Sequence, residues 1–129
     1  MLDSGAISAL ATNRGKAVVL VRELVERGWL LVLPAVVLIE CLTGDPRRDA
    51  NANRWIGAVG ELRTPDEADA RLAAHLRFRT RNPSVVDALV AAIALRSPGL
   101  CIVLTSDPHD LERLIAAGPA RSEVRVLAC

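Results

Sequence analysis

The chain has 129 residues, 51% of them hydrophobic and 24% charged, with only Trp29, Trp55 and Phe78 aromatic. So much aliphatic surface excludes a disordered chain, and the length suits one domain, 1–129, with one core. Sixteen basic against fifteen acidic side chains leave a formal charge of +1, which excludes a global field that would by itself select a polyanion.

In chain order, Met1 and Leu2 read as the stub of a strand, and Asp3 with Ser4 opens a short helix to Ala11. Helical periodicity follows over Ala17 to Glu26. Leu30 to Leu33 reads as a short buried strand ended by Pro34, which also opens a helix from Ala35 to Thr43, stopped by Gly44. Arg48 to Leu62 reads as a further helix. Thr64, Pro65 and Glu67 form a capping box with proline at the first helical position, predicting a helix to about Phe78. Pro83 and Ser84 open a helix over Val85 to Arg96, and Pro98-Gly99 turns the chain into the strand Leu100 to Thr105. A helix over Pro108 to Ala117 and a strand over Val124 to Leu127 complete the pattern. Strands separated by helices predict an α/β fold with a largely parallel sheet.

The longest uncharged apolar stretch, Trp29 to Ile39, is too short to span a bilayer and contains Pro34. Asp3 stands where a secretory signal would carry its basic residues, so the expected location is the cytoplasm. Cys41, Cys101 and Cys129 are odd in number, and the first two lie in apolar runs, which argues against a disulfide framework. With His75 and His109 they give no zinc-type spacing.

Four acids are isolated along the chain. Asp3 is the only charged side chain before Arg14, Glu40 the only one between Arg27 and Asp45, and Asp87 the only one between Arg81 and Arg96, while Asp107 follows the apolar strand 100–105. An ionised carboxylate in such company needs a cation, a proton or strong hydrogen bonds. If Asp3 ends the first strand and Asp107 a later one, both stand at the carboxyl edge of the sheet, and Glu40 and Asp87 reach it from flanking helices. Four carboxylates sharing a pocket repel one another. A hard divalent cation, Mg²⁺ or Mn²⁺, lets them stay ionised.

Each acid also has a purely local reading. Asp107 and Asp3 suit helix N-caps, and Glu40 suits a helix end facing solvent, whereas Asp87, among Val85, Val86, Ala88 and Leu89, has no evident local cap to make. Asp110 reads as a second candidate acid or a first-turn acid. Ser4 and Thr105 are candidate hydrogen-bond partners that orient the carboxylates. From Arg71 to Arg81 the chain carries Arg71, Arg77, Arg79 and Arg81 around Phe78 with no acid. This is either a solvated arginine face or a rim that tracks phosphates, with one stacking residue and RNA contacts at Arg77, Arg79 and Arg81.

Taken together, LDSGAISAL at 2–10, LPAVVLIECLTG at 33–44, NPSVVDALVAAIA at 82–94 and LTSDPHDLERL at 104–114 resemble, in order and spacing, the PIN-domain nucleases, and within them the VapC-type toxins of type II toxin–antitoxin pairs. The resemblance implies a three-layer α/β/α sandwich with a parallel sheet of four to five strands in the order 3-2-1-4-5. It implies an endoribonuclease dependent on one or two Mg²⁺ or Mn²⁺ ions, with Asp3, Glu40, Asp87 and Asp107 as catalytic and metal-binding residues and a metal-activated water as attacking group. It also implies an RNA substrate, a VapB-like antitoxin covering the acid pocket, and a homodimer or toxin–antitoxin hetero-oligomer. Family members carry several apolar residues ahead of the first aspartate. Here Met1 and Leu2 alone precede Asp3, so strand one is expected as a stub or to continue upstream.

Other classes fit less well. A phosphoacceptor receiver needs a lysine near the phosphoryl group, and Lys16 ends no strand; a haloacid-dehalogenase-type phosphatase needs an aspartate where Gly5 stands. The alternative is a catalytically inactive PIN-like module that binds RNA or protein.

Overall fold

The computed structural model describes residues 1–81, 84–119 and 123–129. Asp3 adopts extended backbone and its carboxylate accepts from the Ala6 N–H at 2.7 Å, so α1 runs Ser4–Ala11 as the sequence predicts. α2 (Gly15–Glu26) follows, then β1 (Val32–Pro34). The helix expected from Ala35 to Thr43 is instead a 3-10 turn, Ala35–Val37, running into the short α3 (Leu38–Cys41).

The helix expected over 48–62 divides. α4 (Ala50–Ile56) stops at Gly57, and β2 (Glu61–Arg63) pairs in parallel with β1, Val32 opposite Glu61. The reason is tertiary: the N–H groups of Gly60 and Glu61 both donate to the Leu31 carbonyl, at 3.0 and 3.1 Å, and tie the segment to β1.

α5 (Glu67–Thr80) is capped by Asp66 rather than Thr64. The Asp66 carboxylate accepts from the Asp69 N–H at 2.7 Å and the Asp69 carboxylate accepts from the Asp66 N–H at 3.0 Å, a reciprocal box that uses acids at both positions. α6 (Val85–Arg96) is opened by Ser84, while Pro83 lies outside the described residues. β3 (Cys101–Thr105), α7 (Pro108–Ala116) and β4 (Val124–Ala128) match the sequence reading to within a residue at each end.

The expected three-layer sandwich around one parallel sheet of four to five strands is not formed. Among the described residues there are two parallel two-stranded sheets, β1–β2 and β3–β4. Met1–Asp3 lies between them: Leu2 N–H donates to Val32 O at 2.9 Å, Leu104 N–H to Met1 O at 2.9 Å and Asp3 N–H to Leu104 O at 3.2 Å. Only the isolated bridge Leu2–Leu104 results. The physical reason is length. Asp3 already caps α1, leaving two residues to run beside β3, too few for a ladder, and β1 and β2 have three residues each.

α6 explains its own composition: Ala88 and Val90 through Leu95 are all buried, so the helix is apolar around most of its circumference. Leu2, Ile7, Leu10, Leu33, Val103, Leu104, Leu111 and Leu114 complete the same core. No helix among the described residues is long and apolar enough to cross a membrane.

Candidate functional site

The ends of β3, α1, α3, α6 and α7 bring the isolated acids into one electrostatic neighbourhood. Asp3 is buried, and its carboxyl is pushed up to about 6, chiefly by burial; hydrogen bonds to Thr105 and Ala6 oppose the shift, and the charges of Asp87 and Glu40 add to it. Asp87, half-buried, is raised by burial and by the carboxylates of Glu40, Asp110 and Asp107, against a hydrogen bond from Ser84. Glu40, near the end of α3, and Asp107 are exposed, while Asp110 is half-buried. A buried carboxyl therefore faces more open ones, all of the same sign.

The local readings hold alongside the clustering. Asp3 and Asp107 are both N-caps, of α1 and α7, with Asp107 accepting from the His109 N–H at 3.3 Å. Asp110 is a first-turn acid whose carboxylate also lies 3.4 Å from Arg113. Asp87 corrects the sequence reading: it stands in the first turn of α6, where its N–H donates to Ser84 Oγ at 3.1 Å. A carboxylate there is favoured by the helix N-terminus, so a local role exists after all.

Thr105 joins two of the acids. Its buried hydroxyl accepts from the Asp107 N–H at 3.0 Å, and its single proton is within reach of both the Asp3 carboxylate and the Asp107 carbonyl, the latter at 3.1 Å. Ser4 contributes its carbonyl, which lies 3.9 Å from Cys41 Sγ. The Cys41 thiol is pushed up to about 11 by burial and by Asp3 and Glu40, and burial with Asp3 likewise raises Cys129, whose Sγ lies 3.4 Å from the Thr105 carbonyl. Both stay protonated at neutral pH and are poor nucleophiles.

Two positioning residues escaped the sequence reading. A Cβ on Gly5 would meet the Ser106 backbone nitrogen at 2.9 Å, so glycine lets the first turn of α1 lie directly on the turn that carries Asp107. Asp49 is buried and accepts from Thr43 N–H, Thr43 Oγ1 and Gly44 N–H at 2.8–3.1 Å, which fixes the chain leaving α3 just beyond Glu40. Its signal was the spacing of Thr43, Gly44 and Asp49 around an Asp-Pro turn, which is weak in one dimension.

The donor set suits a hard cation: carboxylate oxygens, with other carboxylates prominent among the charges acting on Asp3 and Asp87. Among the described residues, however, no three His, Cys, Asp or Glu side chains converge closely enough to form a ready metal-binding group. The fit is one of chemistry and charge rather than of preformed coordination.

A pH dependence follows. Because the folded Asp3 carboxyl titrates near 6 and an unfolded one near 4, its contribution to stability is fully present below about pH 4 and is lost as pH rises through about 6. Metal-free protein should therefore lose about 2 kcal/mol of unfolding free energy between about pH 4.5 and 7 in urea titrations. Asp3→Asn should flatten that slope, and Mg²⁺ at pH 7 should recover part of the loss. An unchanged slope in the variant would refute the assignment.

Of the arginine rim, Arg79 Nη1 donates to the Ala117 carbonyl at 3.1 Å and Arg81 is exposed at the end of α5, with φ +54°, while Arg77 is half-buried. Phe78 between them is 84% exposed. No family model matches the chain, and no curated protein matches it.

Proposed function

We propose that the protein is a metal-dependent endoribonuclease of the VapC toxin type that its sequence blocks resemble. The observation that carries the reading is that the isolated acids act on one another: the charges of Asp87 and Glu40 add to the burial that raises Asp3, those of Glu40, Asp110 and Asp107 add to the burial that raises Asp87, and Thr105 joins Asp3 to Asp107. Grouping like charges opposes folding, and a site that takes up a divalent cation accounts for it.

Asp3, Asp87 and Asp107, with Glu40, would hold one or two Mg²⁺ or Mn²⁺ ions. Bound there, the metal supplies an activated water and neutralises charge on the phosphodiester. The chain's own residues set the stage. Thr105 orients Asp3 through its hydroxyl and fixes the backbone of Asp107. Ser84 Oγ accepts from the Asp87 backbone N–H and its hydroxyl bonds the Asp87 carboxylate, and the Gly5–Ser106 contact keeps α1 seated on the turn before Asp107. Arg79 and Arg81 offer cations to the RNA backbone at the far end of α5.

The same reading includes a cytoplasmic location, a VapB-like antitoxin over the acid pocket, and a homodimer or toxin–antitoxin hetero-oligomer. Its support is exposed apolar surface on the helices that carry two of the acids: Ile39, 80% exposed, on α3 with Glu40, and Val85, 52% exposed, on α6 with Asp87.

The test is cleavage of purified total RNA by the isolated protein. Defined fragments should appear with Mg²⁺ or Mn²⁺ and disappear with EDTA. A folded, equally silent protein under all conditions would favour the inactive binding module, and cutting undiminished by EDTA would overturn the metal.

A further inference from the structure

α2 is rich in aliphatic residues, yet Ala17 and Val21 are its only buried positions, and Val19 is 55% exposed. On a helix, positions three, four and seven residues apart share a face, so Lys16, Val19, Leu20 and Glu23 form one line along α2. These four, with Gly15, line a surface groove of about 370 Å³. A Cβ on Gly15 would meet nothing within 4 Å, so the bare position leaves room that the chain's own packing does not use. The uncovered surface continues on the other flank of the helix, where Val18, Val25, Leu31 and Trp55 line a second groove.

The charges at the two ends of the line are opposite. Lys16 and Glu23 are both exposed, and neither forms an ion pair among the described residues. Seven residues separate them by two turns, about 10 Å along the axis, too far to pair within one helix. An antiparallel second α2 supplies both missing partners. A two-fold axis passing between Val19 and Leu20 sets Lys16 of each copy opposite Glu23 of the other, and the two ion pairs flank an apolar centre where each Val19 enters the other copy's groove. A parallel arrangement opposes lysine to lysine and glutamate to glutamate, so the order of charge along the helix selects one orientation.

We propose that α2 is a self-association surface, pairing antiparallel with α2 of a second copy of this chain through reciprocal Lys16–Glu23 ion pairs around Val19 and Leu20. The proposal rests on the homodimer included in the reading above and deepens it by naming its surface. It does not depend on the ribonuclease chemistry. A single helix pair lies at the small end of interface sizes, so association of about micromolar strength is expected.

The experiment is sedimentation equilibrium of the full chain at low salt, over about 1 to 200 µM. The parent should be a dimer in exchange with monomer. Lys16→Glu and Glu23→Lys each set like charges opposite one another twice per dimer and should weaken association at least about tenfold. Both side chains are exposed, so the circular dichroism spectrum should be unchanged. The double variant Lys16→Glu/Glu23→Lys should return association to within about threefold of the parent. Mixing the two single variants should also restore it, because each supplies the charges that the other lacks. A monomeric parent would overturn both the proposal and the homodimer. A dimer that neither single variant weakens would overturn α2 as the surface and leave the homodimer standing. Weakened single variants that stay apart on mixing would overturn the antiparallel pairing. Cleavage of RNA by the parent, measured separately, decides the ribonuclease reading whatever the assembly.

Discussion

Asp87→Asn should lower metal-dependent RNA cleavage by at least about a hundredfold at saturating Mg²⁺ or Mn²⁺ while leaving the protein folded. Asparagine matches aspartate in shape, and the bond from the residue 87 N–H to Ser84 Oγ is made by backbone and survives. What changes is charge. The wild-type carboxyl is raised by burial and by Glu40, Asp110 and Asp107, so removing it relieves repulsion. The variant should be as stable as the parent at neutral pH or slightly more so, which separates a functional role from a structural one. Urea denaturation measured beside the cleavage assay checks both halves. Full activity in the variant would remove Asp87 from the mechanism, and loss of folding would recast it as a helix-start residue.

The largest effect on stability is expected away from the acids, at Asp69. This carboxylate is fully buried where α5 meets α6. It accepts from the Asp66 N–H, is hydrogen-bonded by Arg96 and lies 3.5 Å from Arg63 at the end of β2. Arg96 also bonds Asp66 at 2.6 Å and, with the backbone of the capping box, holds that carboxyl down at about 2. Asp69→Ala leaves an amide without its acceptor and two guanidinium groups without their shared anion, a loss of about 3 kcal/mol. The guanidinium side chains are 27% and 34% exposed and regain some water, which places the loss at the lower end for a broken buried pair. Asp69→Asn keeps an acceptor and should cost less. Glu67→Ala, breaking a pair in which both side chains are 78% exposed, should be near neutral. Equal urea midpoints for the Asp69 and Glu67 variants would refute the network's role.

What the sequence revealed was where local chemistry is strong. Asp3 and Ser4, Ser84, and Asp107 with Pro108 announced α1, α6 and α7, because caps act within one turn and leave a fixed signature. The isolation of Asp3, Glu40 and Asp87 in apolar segments marked them as carboxylates in need of a partner. Tertiary partners were the illegible part. Glu61-Leu62-Arg63 has no alternation that marks a strand, and it is held to β1 by tertiary bonds that begin with the Gly60 and Glu61 N–H groups on the Leu31 carbonyl. Thr64 looked like the cap, but the chain stays extended to Asp66, where two acids cap each other. Asp69 carries no signal of its own in the sequence, since nothing in one dimension announces that Arg63 and Arg96 converge on it. The continuous sheet was inferred from alternating strands and helices. That alternation counts segments without asking whether each is long enough to form a ladder, and Met1–Leu2 is not.

The placement of those first residues has a consequence for the order of events during synthesis. The Met1 amino group bonds the Ile102 carbonyl, 101 positions away, at 2.7 Å, and Asp3 is held by Leu104 and Thr105. Asp3 is made well before the partners that hold it, Leu104 and Thr105. Until β3 has left the ribosome, Asp3 has neither its backbone acceptor nor its threonine, and α1 has no Ser106 to rest on. The cluster of acids therefore assembles only after β3 and the turn beyond it are free, and a product ended before them contains the first carboxylate without the setting that defines it.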